Sequence, residues 1–245
     1  MKIVADLHTH SVASSHAYST LGENCREAEA RGLYAIALTD HGPKIEDGAH
    51  PYHFAGIANV LPRKIHGVYV LRGIESNILN EAGEVDIDPS WGDVLDFAIA
   101  SIHSECFGKS NPEKTTNAYL NVLDNPLVDI LGHSGTEEYA YDYERVIKKC
   151  ARTGKLVEIN AASFKYRMTS MSHCRRIASL CAHYGARIMV NSDAHVAQMV
   201  GEVSSALKML KDINFPEELV VNSSLPRLSA YFKETKRLDI LDERA

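Results

Sequence analysis

The sequence is poor in the features that mark several common protein classes. It has no Cys-x-x-Cys pair, and its five cysteines (Cys25, Cys106, Cys150, Cys174, Cys181) are odd in number and scattered. That usage fits reduced thiols and excludes a disulfide framework or a thiolate zinc site. No apolar run approaches the roughly 20 residues needed to span a bilayer. The opening MKIVADLHTH lacks an apolar stretch followed by a small-residue cleavage site, so a signal peptide is not expected and a cytoplasmic location follows by default. There is no low-complexity tract and no Pro or Gly excess. A basic stripe is also missing, since 32 acidic and 26 basic residues are interspersed to give a net charge of −6. Stable nucleic-acid binding is therefore not expected. Phosphorylated small molecules stay open as partners, because bound metal can supply positive charge. A homo-oligomer is equally open.

What is present is ordinary in bulk, with 45% hydrophobic and 24% charged residues across 245. This is enough for one large domain over 1–245. Short β-branched apolar runs alternate with longer amphipathic stretches, the βαβα pattern of a parallel sheet. Strands are predicted at Lys2–Leu7, Tyr34–Leu38, Val68–Gly73, Phe97–Ile102, Val128–Leu131, Leu156–Ile159 and Arg187–Val190. Helices are predicted from a Ser19 or Thr20 cap to Arg31, then over Pro112–Leu123, Tyr141–Thr153, Ser172–His183, Val203–Lys211 and Pro226–Thr235. Seven strands with helical crossovers read as an α/β barrel, although pattern alone also allows a doubly wound open sheet.

Histidine is the abundant exception, with twelve in the chain. His8 and His10 follow the first strand as H-x-H, a spacing that puts both on one face. His16 lies just beyond. Asp40 and His41 end the second strand, Glu75 the third, His103 the fourth and His133 the fifth; Asp193 and His195 follow the seventh as D-x-H. Any one of these taken alone reads more readily as a hydrogen-bonded or surface residue. Six strands delivering such side chains to their C-terminal ends is another matter, because in a parallel barrel those ends converge on the face where active sites are built. His66, His173 and His183 fall elsewhere and keep the ordinary structural reading. His50 and His53 follow the second strand and could line a substrate entrance.

Nine candidate ligands (His8, His10, His16, His41, Glu75, His103, His133, Asp193 and His195) exceed what one zinc needs. With no cysteine among them, they imply two or three open, catalytic-type ions, with a glutamate able to bridge a pair. Imidazole-rich sets with some oxygen suit zinc, manganese or iron. Paired ions typically clamp a phosphoryl group and activate water.

In order and spacing these residues resemble the PHP (polymerase and histidinol phosphatase) superfamily. Asp6–His10, Thr39–His41, Gly73–Glu75 and Ser192–His195 look like its four motifs. The similarity is greatest to the YcdX-type stand-alone phosphatases, through His16-Ala-Tyr-Ser-Thr, Thr39-Asp-His-Gly-Pro, Leu71-Arg-Gly-Ile-Glu, and Glu158-Ile-Asn followed by Ser163-Phe. It runs almost end to end, reaching Met199–Glu202 and Pro226–Leu228. The resemblance implies a distorted (β/α)7 barrel with a trinuclear site, commonly zinc. His8, His10, Glu75 and Asp193 would hold one ion. Glu75 would bridge to a second completed by His103 and His133, and His16, His41 and His195 would hold the third. Two departures, Ser134-Gly-Thr after His133 and Ala161-Ala162 after Asn160, touch the pocket and leave the ligands intact.

The expected activity is hydrolysis of phosphate monoesters by a metal-bound hydroxide, with Glu75 and Asp193 as catalytic residues. Arg72, Lys165, Arg167 and His53 are candidates for substrate contact. Asp40 is expected to fix the His41 tautomer and Asp6 to act similarly. A nucleic-acid phosphodiesterase, a non-catalytic metal-binding regulatory domain and a C–N bond hydrolase are the competing readings. The missing basic groove, the intact ligand set and the lack of a lysine at a strand end weigh against them in turn.

Overall fold

The computed structural model describes residues 1–166, 170–236 and 238–241. The chain opens with β1 (Ala5–Thr9) and α1 (Leu21–Ala30). Thr20 caps α1, and Glu23 reaches back to complete a capping box. Next come β2 (Ala35–Leu38), α2 (Pro51–Val60), β3 (Lys64–Ile65) and β4 (Val68–Asn77). The helix α2 was not foreseen; its start is marked by His50, which accepts a hydrogen bond from the Tyr52 N–H, with Pro51 as first helical residue. Then follow β5 (Phe97–Ser101), α3 (Ser104–Phe107), α4 (Pro112–Val122) and β6 (Ile130–Leu131). The second half continues through α5 (Tyr143–Thr153), β7 (Leu156–Asn160), α6 (Ala162–Lys165) and α7 (Met171–Tyr184). It ends with β8 (Ile188–Asn191), α8 (Ser204–Asp212) and α9 (Leu225–Lys236). Gly154 and Gly185 stop α5 and α7 in the left-handed conformation that glycine adopts without penalty. No described helix is long and apolar enough to cross a membrane.

Seven parallel strands run in the order β1-β2-β4-β5-β6-β7-β8, with β3 an antiparallel appendage on β4. Closure between β8 and β1 differs at the two ends of the barrel. At the C-terminal mouth the strands meet directly, His10 N–H donating to the Ala194 carbonyl at 2.9 Å and Thr9 bridging Ala194. At the other end Asn222 is wedged into the seam. Its amide donates to the carbonyls of Ala5 (2.9 Å) and Val190 (2.7 Å) and accepts from the Val190 N–H (3.1 Å). The result is a distorted (β/α)7 barrel, and the open-sheet alternative is set aside.

The interior below the mouth is apolar: Ala5, Leu7, Ala37, Leu71, Ile99 and Met189 are buried there, with Phe232 of α9 plugging the bottom. A second, larger apolar layer lies between the strands and α4, α5 and α7. Fully burying side chains of this size contributes about 1.5–3 kcal/mol each, which stabilises the scaffold that carries the mouth.

Candidate metal centre

Local geometry sets how each polar side chain enters the mouth. In β1, Asp6 pairs with Ile36 and Thr9 with Leu38, so one extra residue is accommodated as a bulge. Strict alternation would send His8 to the face opposite Leu7. The bulge instead lets Leu7 join the interior core while His8 and His10 both turn into the mouth. β4 is longer than its sequence implies, because it pairs with β2 over Tyr69–Arg72 and with β5 over Gly73–Asn77. Glu75 therefore lies inside a strand, two residues below its end, which corrects the expectation of a strand-terminal residue. Asp193 follows β8 with φ of 58°, a left-handed conformation that Asp adopts more readily than most residues.

Glu75 is the hub. Its Oε2 lies 2.9 Å from His41 Nδ1, 3.3 Å from His8 Nε2 and 3.6 Å from His10 Nε2. Its Oε1 lies 2.8 Å from His133 Nε2 and 3.4 Å from His103 Nε2. Asp193 Oδ1 stands 3.1 Å from His10 Nε2 and 3.5 Å from His8 Nε2. His195 stacks on His10 (ring centroids 4.2 Å apart) and on His16 (4.3 Å), and His41 stacks on His10 at 4.4 Å. All nine expected ligands thus meet around one cavity of about 390 Å³ or in its wall.

The electrostatics follow from this crowding. Burial alone would push the His8 imidazole down, but the carboxylates of Glu158, Glu75 and Asp193 together hold it well above its usual range. His10 goes the other way, to about 3, through burial and the neighbouring His41. Burial would raise Glu75, yet His8, His103 and His41 keep its carboxyl well below the carboxylate range. Asp193 is held low in the same sense, chiefly by His8 and its hydrogen bond with His10.

Whether divalent ions fit is answered by unsatisfied atoms. His8 Nε2, both ring nitrogens of His41, Glu75 Oε2 and His195 Nε2 are buried without a hydrogen bond. A buried polar atom left so costs about 1–3 kcal/mol. Four groups of three donors (His8, His10, Glu75; His10, His41, His195; His41, Glu75, His103; His16, His41, Asp47) each converge within coordinating reach of a single point. These ring nitrogens and the carboxylate oxygen face shared centres, and cations would satisfy them once the raised imidazoles give up their protons. The residues present fit.

Several supporting residues were given no role by the sequence reading, Glu158 among them although it stands in the Glu158-Ile-Asn segment. Glu158, inside β7, accepts from His8 Nδ1 (2.7 Å), the His133 N–H (2.8 Å) and Asn191 (2.9 Å). Asn77 Oδ1 takes the His103 Nδ1 proton at 2.7 Å, and Asp86 holds the Asn77 amide at 2.7 Å. Asp47 contacts His16 Nδ1 directly. Such carboxylate and amide partners fix imidazole tautomers. Only Glu158 carried a signal, as a charged residue in an otherwise apolar strand; Asn77 and Asp47 become visible only through the fold. Asp40 does not touch the His41 ring. It accepts from Ser11 N–H (2.7 Å) and Ser14 Oγ (2.8 Å), and His53 Nε2 stands 3.1 Å away, so it tethers the loop after β1. Asp6 accepts from the Gly201 N–H at 2.7 Å and from Ser192, fixing the segments on either side of Asp193.

The residues expected at a phosphate are placed elsewhere. Arg72 donates to the Leu61 carbonyl and its backbone N–H to Asp96, outside the mouth, because it lies three residues below Glu75 on the long β4. Lys165 packs over Tyr166 and lines a different cavity. His53 serves Asp40, and Arg167 lies outside the described residues. The mouth is rimmed instead by Ile45, Glu46, Asp47 and Glu105, and no Lys or Arg among the described residues lines it.

A parallel barrel whose C-terminal mouth gathers imidazoles around a shared buried carboxylate defines a class of α/β barrels with a candidate metal site at the mouth. Within that class the chain belongs to the PHP domain family, whose profile matches residues 6–235. It is 44% identical over 239 residues to a protein named probable phosphatase from Caldanaerobacter subterraneus subsp. tengcongensis, covering 97% of this chain and 94% of that one. A probable phosphatase from Acetivibrio thermocellus is 39% identical over 236 residues, covering 96% and 98%. Among solved structures, the fold is similar to that of a histidinol phosphate phosphatase from Lactococcus lactis crystallised with zinc, L-histidinol and phosphate. That match has a TM-score of 0.60 at 18% identity and covers 88% of this chain and 95% of that one.

Proposed function

We propose that the chain is a metal-dependent phosphomonoesterase working with three divalent ions, zinc foremost and manganese or iron as alternatives. The observation that carries this is Glu75, with imidazoles from four separate segments set around its two oxygens. His8, His10, Glu75 and Asp193 would hold one ion; Glu75, His103 and His133 a second; and His16, His41 and His195 a third. Relatives at 39–44% identity that bear a phosphatase name support the reaction class.

When bound, the ions would supply Lewis acidity and positive charge to the phosphoryl group and acidify a coordinated water. The chain's own residues do the positioning. Glu75 stays ionised and presents one oxygen to each side. Asp193, braced by Asn160 Nδ2 at 3.1 Å, offers a fixed acceptor that orients the attacking water. Glu158 and Asn77 hold His8 and His103 in the tautomers that leave Nε2 free to face Glu75. The acidic rim of Glu46, Asp47 and Glu105 repels a polyanion, which favours a small monoester over nucleic acid.

The test is metal analysis of the purified protein together with turnover of p-nitrophenyl phosphate and of its bis-ester. Monoester hydrolysis that is lost with chelator and restored by zinc or manganese is expected. Hydrolysis of the bis-ester alone would overturn the reading in favour of a phosphodiesterase.

A further inference from the structure

Resting on the phosphomonoesterase reading, we propose that the alcohol carried by the phosphate is apolar, aromatic in its best substrates, and lies in a slot walled by Ala162, Tyr166, Val196 and Met199. The slot is a cavity of about 320 Å³ whose remaining walls are His16, Asp193 and His195. Those three also line the metal-centre cavity, so the two spaces are continuous. Two spaces lined by described residues adjoin the place between His16, His41 and His195 where a phosphoryl group would sit. One is the rim of Glu46, Asp47 and Glu105; the other is this slot.

The chemistry of the slot is unlike that of the rim. Beyond the shared residues it offers no charged side chain among the described residues. Tyr166 is 62% exposed, so one face of its ring is open to a ligand. Its hydroxyl lies 3.2 Å from Met199 Sδ, which joins the tyrosine just after α6 and the methionine after β8 into one wall. Methionine and tyrosine together make an adaptable, polarisable surface against which a flat apolar group packs well. An anionic alcohol would meet carboxylates on one side and, among the described residues lining the slot, no cation on the other, Lys165 lining the neighbouring cavity. A polyol would give up its water for a surface with few hydrogen-bonding groups. An apolar or aromatic alcohol gains by entering, because its own surface and that of Tyr166, Val196 and Met199 leave water together.

The test compares kcat/KM for benzyl phosphate and 2-hydroxyethyl phosphate, using the holoenzyme with the ions it retains. Their alcohols are similarly basic leaving groups, so the ratio reports on alcohol binding rather than on bond cleavage. Benzyl phosphate is expected to be favoured by about tenfold or more, the range over which an apolar pocket discriminates. Tyr166→Ser and Met199→Gln, both at partly exposed positions and each checked for an unchanged circular dichroism spectrum, should bring the ratio toward one, and Tyr166→Phe should preserve it. A ratio at or below one in the parent protein, or one that neither variant changes, sinks the slot while leaving the phosphatase reading intact. If metal-loaded protein hydrolyses neither ester, the phosphatase reading falls and the slot with it.

Discussion

Glu158 Oε1 lies 2.7 Å from His8 Nδ1, both side chains fully buried, and this contact decides which nitrogen of His8 faces the mouth. Glu158 also holds the backbone N–H of His133 at 2.8 Å. One interior carboxylate therefore orients ligands from two strands. Replacing it should cost metal affinity without removing a donor. Glu158→Gln keeps the volume and an acceptor oxygen but loses the charge. We expect apparent metal affinity to fall by about 10- to 100-fold, read by competition with a chromophoric chelator, with the circular dichroism spectrum unchanged.

Glu75→Gln tests the hub itself. An amide cannot offer two anionic oxygens to opposite sides, so phosphomonoester turnover should drop by several orders of magnitude, on the order of 10³-fold or more, with the fold retained. Fewer ions per chain should be retained on metal analysis. Near-normal turnover would show that Glu75 bridges nothing.

The stability gained from metal should depend on pH in a defined direction. In metal-free protein His8 is held well above its ordinary value by Glu158, Glu75 and Asp193 against the opposing effect of burial, and His41 is raised chiefly through Glu75. A raised imidazole stabilises the fold below its unfolded-state pKa, near 6.5, and loses that contribution as pH climbs through the folded value. Metal binding needs the same nitrogens deprotonated, so its contribution grows over the same window. The difference in Tm between metal-loaded and metal-free protein should therefore widen from pH 6 upward. A constant difference would mean that these histidines do not exchange protons for metal.

Asn222 closes the barrel seam opposite the mouth, bonding Ala5 and both backbone groups of Val190. Asn222→Ala would leave those buried groups unpaired, a loss of about 3 kcal/mol or more on typical costs of 1–3 kcal/mol per group. Urea unfolding should show this as a lower midpoint. Metal content at saturating ion should be retained, since the mouth is joined separately through His10 and Ala194.

The sequence by itself determined the strand–helix alternation and the polar side chains at the strands' C-terminal ends, and left the parallel sheet free to close or stay open. Those follow from local patterns: β-branched runs, caps such as Thr20, stops such as Gly154 and Gly185, and polar residues that interrupt apolar strands near their C-terminal ends. Tertiary structure decided what depends on neighbours from distant parts of the chain. The bulge in β1 sets which way His8 points, and the double pairing of β4 sets how deep Glu75 lies. No periodicity encodes a register shift or a strand's second partner. The same holds for charge. Arg72 reads as a phosphate ligand beside Gly-Ile-Glu, yet three residues along a strand carry it about 10 Å from Glu75, to the carbonyl of Leu61. Partners such as Asn77, Asp86 and Glu158 are chosen by three-dimensional proximity, which is why the side chains that meet in the mouth could be read from the sequence and most of what orients them could not.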